Sequence, residues 1–102
     1  MSDDTVKTQQ VEVGYNPKVR DKLADYDPKM LLADGFDDCI IGICYTPGPG
    51  DRAVYDTELI IKTLVERDGL TYEEAWEHFD FNIEGGYHGE KTPIFLKRFD
   101  ED

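Results

Sequence analysis

The sequence predicts a small single-domain α+β fold, a strand-helix-helix-strand core with a helical or irregular N-terminal extension. Three observations predict it. The run Cys39-Ile40-Ile41-Gly42-Ile43-Cys44-Tyr45 is apolar and rich in β-branched residues, the composition of a strand. Two helix-start signals follow, Asp56 and Thr71, each ahead of an apolar stretch of helical period. A second apolar run, Ile94-Phe95-Leu96, closes the chain after Pro93. Two helices between two strands place the helices on one face of a small sheet.

At 102 residues there is room for one domain. Residues 1–14 read as a flexible segment and 15–102 as one compact unit. Within the first part, Gln10-Val11-Glu12-Val13 alternates briefly and reads as a short edge strand. From Pro17 a helix is expected, with Val19, Leu23 and Tyr26 at helical spacing and Pro17 suited to the first helical position. Pro28 stops it. An irregular stretch through Ala33 and a turn at Asp34-Gly35 follow.

The Cys39–Tyr45 run, bounded by acids on one side and Pro47-Gly48-Pro49-Gly50 on the other, reads as a strand buried on both faces. Thr46–Arg52 reads as a loop. The next helix is expected to bury Leu59, Ile60, Leu64 and Val65 and to end near Asp68, capped by Gly69. Thr71-Tyr72-Glu73-Glu74 matches a capping box, with Leu70 and Ala75 placed as its hydrophobic staple. Tyr72, Ala75, Trp76 and Phe79 then form one apolar face. The Cys39–Tyr45 and closing strands are expected to be neighbours.

Charge constrains function more tightly than any motif. Twenty-three acids against eleven Lys and Arg give a net charge of −12. Such a chain repels nucleic-acid backbones and anionic membranes and attracts basic or nucleic-acid-binding proteins. No apolar run reaches the length of a membrane span, and no basic-then-apolar leader opens the sequence. A soluble cytoplasmic setting follows, with oligomeric state left open. Cys39 and Cys44 sit on opposite faces of a strand, so they read as small buried apolar residues of a reducing compartment. A metal site would find only His78 and His88 to join them. No catalytic, cofactor or metal residue is assigned.

Four segments carry candidate chemistry. Glu66, Asp68, Glu73, Glu74, Glu77 and Asp80 crowd two predicted helices, and Glu73, Glu77 and Asp80 share a face opposite Trp76. Carboxylates on a rigid face can imitate phosphates and occupy a DNA-binding cleft, or they are simply a solvated face. The glycine-rich segment 82–92 holds Asn82, His88 and Glu90, polar groups of the kind a small enzyme or ligand site uses. It reads equally as a wide turn. Thr46–Arg52 lacks either glycine-rich nucleotide motif. Asp34, Asp37 and Asp38 lack the spacing of a calcium loop and read as turn chemistry.

Several blocks together carry a resemblance: Gly35-Phe36-Asp37-Asp38-Cys39-Ile40-Ile41-Gly42, Tyr55-Asp56, Thr71-Tyr72-Glu73-Glu74-Ala75, Phe79-Asp80-Phe81-Asn82 and Gly85-Gly86-Tyr87-His88-Gly89-Glu90-Lys91-Thr92-Pro93-Ile94-Phe95. In this order they resemble a family of small tailed-bacteriophage proteins with no assigned activity, over about residues 35–99. The resemblance implies a phage accessory protein acting in the bacterial cytoplasm, and no catalytic residues. The expected function is binding of a host or phage protein, with inhibition by DNA mimicry as one variant. The alternatives are a small enzyme or ligand-binding protein using segment 82–92, and a virion or assembly component.

Overall fold

The computed structural model of the chain describes residues 14–86 and 89–99. The expected strand at Gln10–Val13 and His88 lie outside them. The order is α1 (Pro17–Tyr26), a 3-10 turn (Asp37–Cys39), β1 (Ile40–Thr46), β2 (Gly50–Asp56), α2 (Thr57–Asp68), α3 (Tyr72–His78), a π-helical turn (Phe79–Ile83), a 3-10 turn (Glu84–Gly86) and β3 (Ile94–Leu96). The α+β class is as the sequence predicts, with one strand more.

That strand, β2, changes the sheet. The order is β1-β2-β3, with β1 antiparallel and β3 parallel to β2. The two strands expected to be neighbours are therefore separated by a segment read as loop and helix approach. Pro47, Gly48 and Pro49 form only the turn of a hairpin, whose register runs from Thr46 opposite Gly50 to Ile40 opposite Tyr55. Ala53 and Tyr55 alternate inward along β2 and are fully buried. Their neighbours Arg52 and Asp56 find distant partners: Arg52 Nε donates to Thr92 O at 2.7 Å, and Arg98 Nη2 lies 2.6 Å from Asp56 Oδ2.

Because β2 takes the centre, β1 is an edge strand among the described residues. The expectation of burial on both faces is overturned: Ile41, Gly42, Cys44 and Tyr45 are exposed. Cys39 is buried as expected, whereas Cys44 is exposed and free.

The helices form where their caps dictate. Asn16 Oδ1 accepts from Val19 N, and Pro17 takes the first turn of α1. Asp56 caps α2 through Glu58 N, and Gly69 ends it at φ 73°. The buried residues of α2 are Thr57, Ile60, Ile61 and Leu64; of the expected stripe, Ile60 and Leu64 are buried, and Leu59 and Val65 lie at its margins. In α3 the reciprocal Thr71–Glu74 capping box is formed, and Leu70 packs against the core beside buried Ala75. Tyr72 departs from its expected core place: it is exposed and meets Trp76 edge-on. An aromatic chain then runs from Trp76 through Phe79 and Phe95 to Tyr55, with ring centroids 5.3–5.7 Å apart. This chain, worth about 0.5–1.5 kcal/mol per pair beyond burial, fixes α3 over β2 and β3.

Residues 14–36 dock on this core through Leu23, Met30, Ala33 and Phe36 and through one buried carboxylate. Asp37 is fully buried, with a relative exposure of 0%. Arg20 grips it from α1 in bidentate fashion, Nε to Oδ2 at 2.7 Å and Nη2 to Oδ1 at 3.0 Å. Asn16 N adds a bond to Oδ2 at 2.7 Å, and Asp37 N donates to Gly14 O at 2.8 Å. Gly14 itself is buried at φ 92°, and a Cβ there would collide with Gly35 O. Asp34 and Asp37 thus serve Arg20, while Asp38 accepts from the Asn16 side chain. A second tie joins Tyr55 Oη to the 30–36 stretch by accepting from Ala33 N at 2.7 Å.

Replacing Arg20 with Ala leaves the Asp37 charge buried without its partner. Chemical denaturation should show a loss of about 3–5 kcal/mol, with Arg20→Lys between the two because the fork is lost. A loss below about 1 kcal/mol, the level of an exposed pair, would contradict the assignment.

Candidate functional site

The acidic residues on α2 and α3 do not form one equivalent set. Glu66, Asp68, Glu73, Glu74, Glu77 and Asp80 are all exposed. Asp68, however, is bound by Arg67, Nε to Oδ1 at 2.9 Å and Nη2 to Oδ2 at 3.1 Å, which holds its carboxyl below the usual range. Arg67 also donates to Gly35 O at 2.7 Å and lies over the Phe36 ring, so it is a strut between α2 and the N-terminal third. Glu74 accepts from Thr71 N at 2.9 Å within the capping box. Glu66, Glu73, Glu77 and Asp80 form no ion pair among the described residues. Of the six candidate carboxylates, these four have no partner that the fold requires among the described residues. Asp80 sits in the π-helical turn, where the wider winding departs from the spacing that aligned it with Glu73 and Glu77.

Segment 82–92 divides. Asn82 turns toward α3, its Nδ2 3.2 Å from His78 Nδ1. Around this pair, Glu74, Glu77, Leu70 and Phe81 frame a shallow cleft of about 370 Å³. Part of the acidic face and part of the glycine-rich site thus meet at one place, with Phe81, 78% exposed, beside them. Glu90 is exposed. Lys91 reaches away from the helices: its Nζ lies 2.6 Å from Asp27 Oδ2 and also donates to Pro49 O. No group of three or more His, Cys, Asp or Glu able to hold a metal occurs among the described residues. Burial raises the pKa of the Cys39 thiol, whose sulfur lies 3.6 Å from Thr63 Oγ1. That is the setting of an inert thiol.

A larger concavity lies elsewhere, between α1 and β1. It is a groove of about 750 Å³, floored by Val19, Leu23, Ile40 and Ile43. Tyr26 and Tyr45 stand at its sides, and Lys18 and Lys22 line its α1 wall. Two clasps frame it. At the start of α1, Arg20 and Asn16 hold Asp37, three residues before Ile40. Past the end of α1, Lys91 ties Asp27 to the hairpin turn. A ten-residue helix spans about 15 Å, so α1 runs along much of β1 between its clasps. Sequence reasoning missed this groove because its walls are twenty residues apart and its clasps use Lys91, sixty-four residues from Asp27. The one visible trace was Tyr26, placed by spacing on the apolar face and found exposed above the groove.

Compared with protein-family models, curated proteins and solved structures, the chain matches none of them. No helix among the described residues is long and apolar enough to cross a membrane.

Asp27 gives the second clasp a pH signature. Its pKa is lowered first by the Lys91 hydrogen bond and then by the Lys29 backbone amide. A lowered carboxylate stabilises the fold above the ordinary value of about 4 and stops doing so as pH falls through its folded pKa. Thermal melts across pH should therefore show Asp27→Asn less stable than the native chain at neutral pH. The gap should close steadily in acid below about pH 4. A gap independent of pH would assign the effect to something other than this carboxylate.

Proposed function

We propose that the chain is a phage accessory protein of the bacterial cytoplasm that binds a basic or nucleic-acid-binding protein, through carboxylates at the junction of α2 and α3. One observation carries this reading. Much of the cationic complement braces the fold: Arg20 on Asp37, Lys91 on Asp27, Arg98 on Asp56 and Arg67 on Asp68. Arg52 is spent on a backbone carbonyl, and Lys97 lies over the Trp76 ring. Glu66, Glu73, Glu77 and Asp80 are exposed and form no ion pair among the described residues, on elements held by caps and aromatic packing. Fixed uncompensated charge steers a partner of opposite sign and speeds its encounter. Occupation of a DNA-binding cleft is the specific variant of this reading.

The substitutions that test it follow from the geometry. Glu74 is excluded because its loss would also uncap α3. Replacing Glu66, Glu73 and Glu77 with Gln and Asp80 with Asn should leave the melting curve nearly unchanged. Affinity for the protein captured from host or infected lysate should fall about tenfold or more, roughly 1.4 kcal/mol. Raising salt should weaken the native complex, and duplex DNA should compete if the cleft is the target. Normal binding by the neutralised variant would sink this reading.

A further inference from the structure

We propose that the groove between α1 and β1 binds an extended peptide segment carrying both apolar and acidic side chains, which adds to β1 as a fourth strand. This surface is separate from the α2–α3 acids, so either reading stands if the other fails.

Three features converge on it. The first is the edge itself. β1 is seven residues long and pairs on one side only among the described residues. In a chain of which 33% is charged, Ile40–Thr46 carries no charge at all. Edge strands are normally guarded by lysine, proline or inward charge; this one has only a register shift between Ile40 and Gly42. Its exposed row, including Tyr45 at 70%, is left open.

The second feature is the groove beside that edge. Its volume lies within the range of about 300–1,000 Å³ typical of binding clefts. Its floor is aliphatic, with aromatic rings at the sides. A strand laid on β1 sends alternate side chains to one face of the sheet, where this floor would receive them. Gly42 leaves the approach clear: a Cβ placed there meets no atom within 4 Å.

The third is charge. Lys18 and Lys22, one helical turn apart and exposed, share the wall facing the groove. Neither forms an ion pair among the described residues, although the chain has a twofold excess of acids. Asp51 is the one acid lining the groove, at its hairpin end, and it disfavours a carboxylate there. The ligand's acid therefore belongs beside α1.

These features select among occupants. A second copy pairing through its own β1 would bring no acid to Lys18 and Lys22. A small amphipathic carboxylate would answer the lysines but leave the strand edge bare. Nucleic acid meets a net charge of −12. An acidic-apolar strand satisfies edge, floor and wall together, by the strand-addition mode of peptide recognition.

The test uses the full chain and short synthetic peptides that alternate valine with glutamate or valine with lysine. The glutamate peptide should bind with amide shifts at Ile41–Tyr45 and around Lys18 and Lys22. It should outcompete the lysine peptide by about tenfold or more. Lys18→Glu with Lys22→Glu should reverse that preference while keeping the native melting curve. Gly42→Val fills open space and suits a strand; it should fold and lose both peptides. Equal binding of the two peptides, or shifts confined to other elements, would overturn the proposal. So would β1 amides already protected from exchange in the peptide-free monomer, which would mean an occupant from within the chain. Concentration-dependent dimers that block the peptide would overturn it in favour of a second copy.

Discussion

The buried carboxylate of Asp37 is the anchor around which residues 14–36 are arranged. A charge with no solvent exposure is tolerated only where its oxygens are fully answered. Here the answer comes from α1: the Arg20 fork and the Asn16 amide converge on it within 3.0 Å. The hydrogen bonds from Arg20 to Asp37 raise the Arg20 pKa above its already high ordinary value. Because Asp37 sits immediately before β1, the same interaction fixes both where α1 begins and how it approaches the edge strand. Lys91 repeats the device at the far end, tying Asp27 to the hairpin turn. With both ends held, α1 spans β1 without collapsing onto it, and the groove is the space that remains.

The clasps also explain the character of the surface. Arg20, Arg67, Lys91 and Arg98 each join segments distant in sequence or cap an element, so much of the cationic complement acts as internal bracing. The outward consequence is an acid-rich face at the α2–α3 junction more fixed in sign than composition alone implies. Lys18 and Lys22 are the exception that matters. They are unpaired cations on an acidic molecule, placed beside its only long uncharged strand edge among the described residues.

Local signals were legible and long-range ones were not. Pro17 at the start of α1, the Asp56 and Thr71 caps, the Thr71–Glu74 box and the Gly69 stop depend on neighbours within four residues, and α1, α2 and α3 form where those signals place them. β2 escaped because Asp51, Arg52 and Asp56 disguise its alternation, and their compensation comes from Thr92 and Arg98. Once β2 takes the centre of the sheet, the most strand-like run in the sequence is displaced to the edge, which is why an apolar segment is exposed. The acidic face was visible as a cluster, but only structure separates Asp68 and Glu74, which have work within the fold, from Glu66, Glu73, Glu77 and Asp80. The Asp34-Gly35-Phe36-Asp37-Asp38 stretch read as turn chemistry; its role as a docking point needs Arg20, seventeen residues away.

Native-state hydrogen exchange at the Asn16 amide tests the dependence on Asp37 most directly. This proton lies before the first turn of α1, where an isolated helix end would leave it open to water, yet it is held 2.7 Å from the buried carboxylate. If Asp37 holds the N-terminal third in place, Asn16 exchanges only with global unfolding, at the same free energy as the amides of Ala53 and Tyr55 in β2. Exchange of Asn16 near the rate of an unstructured peptide, while β2 remains protected, would show α1 to be undocked and contradict the account.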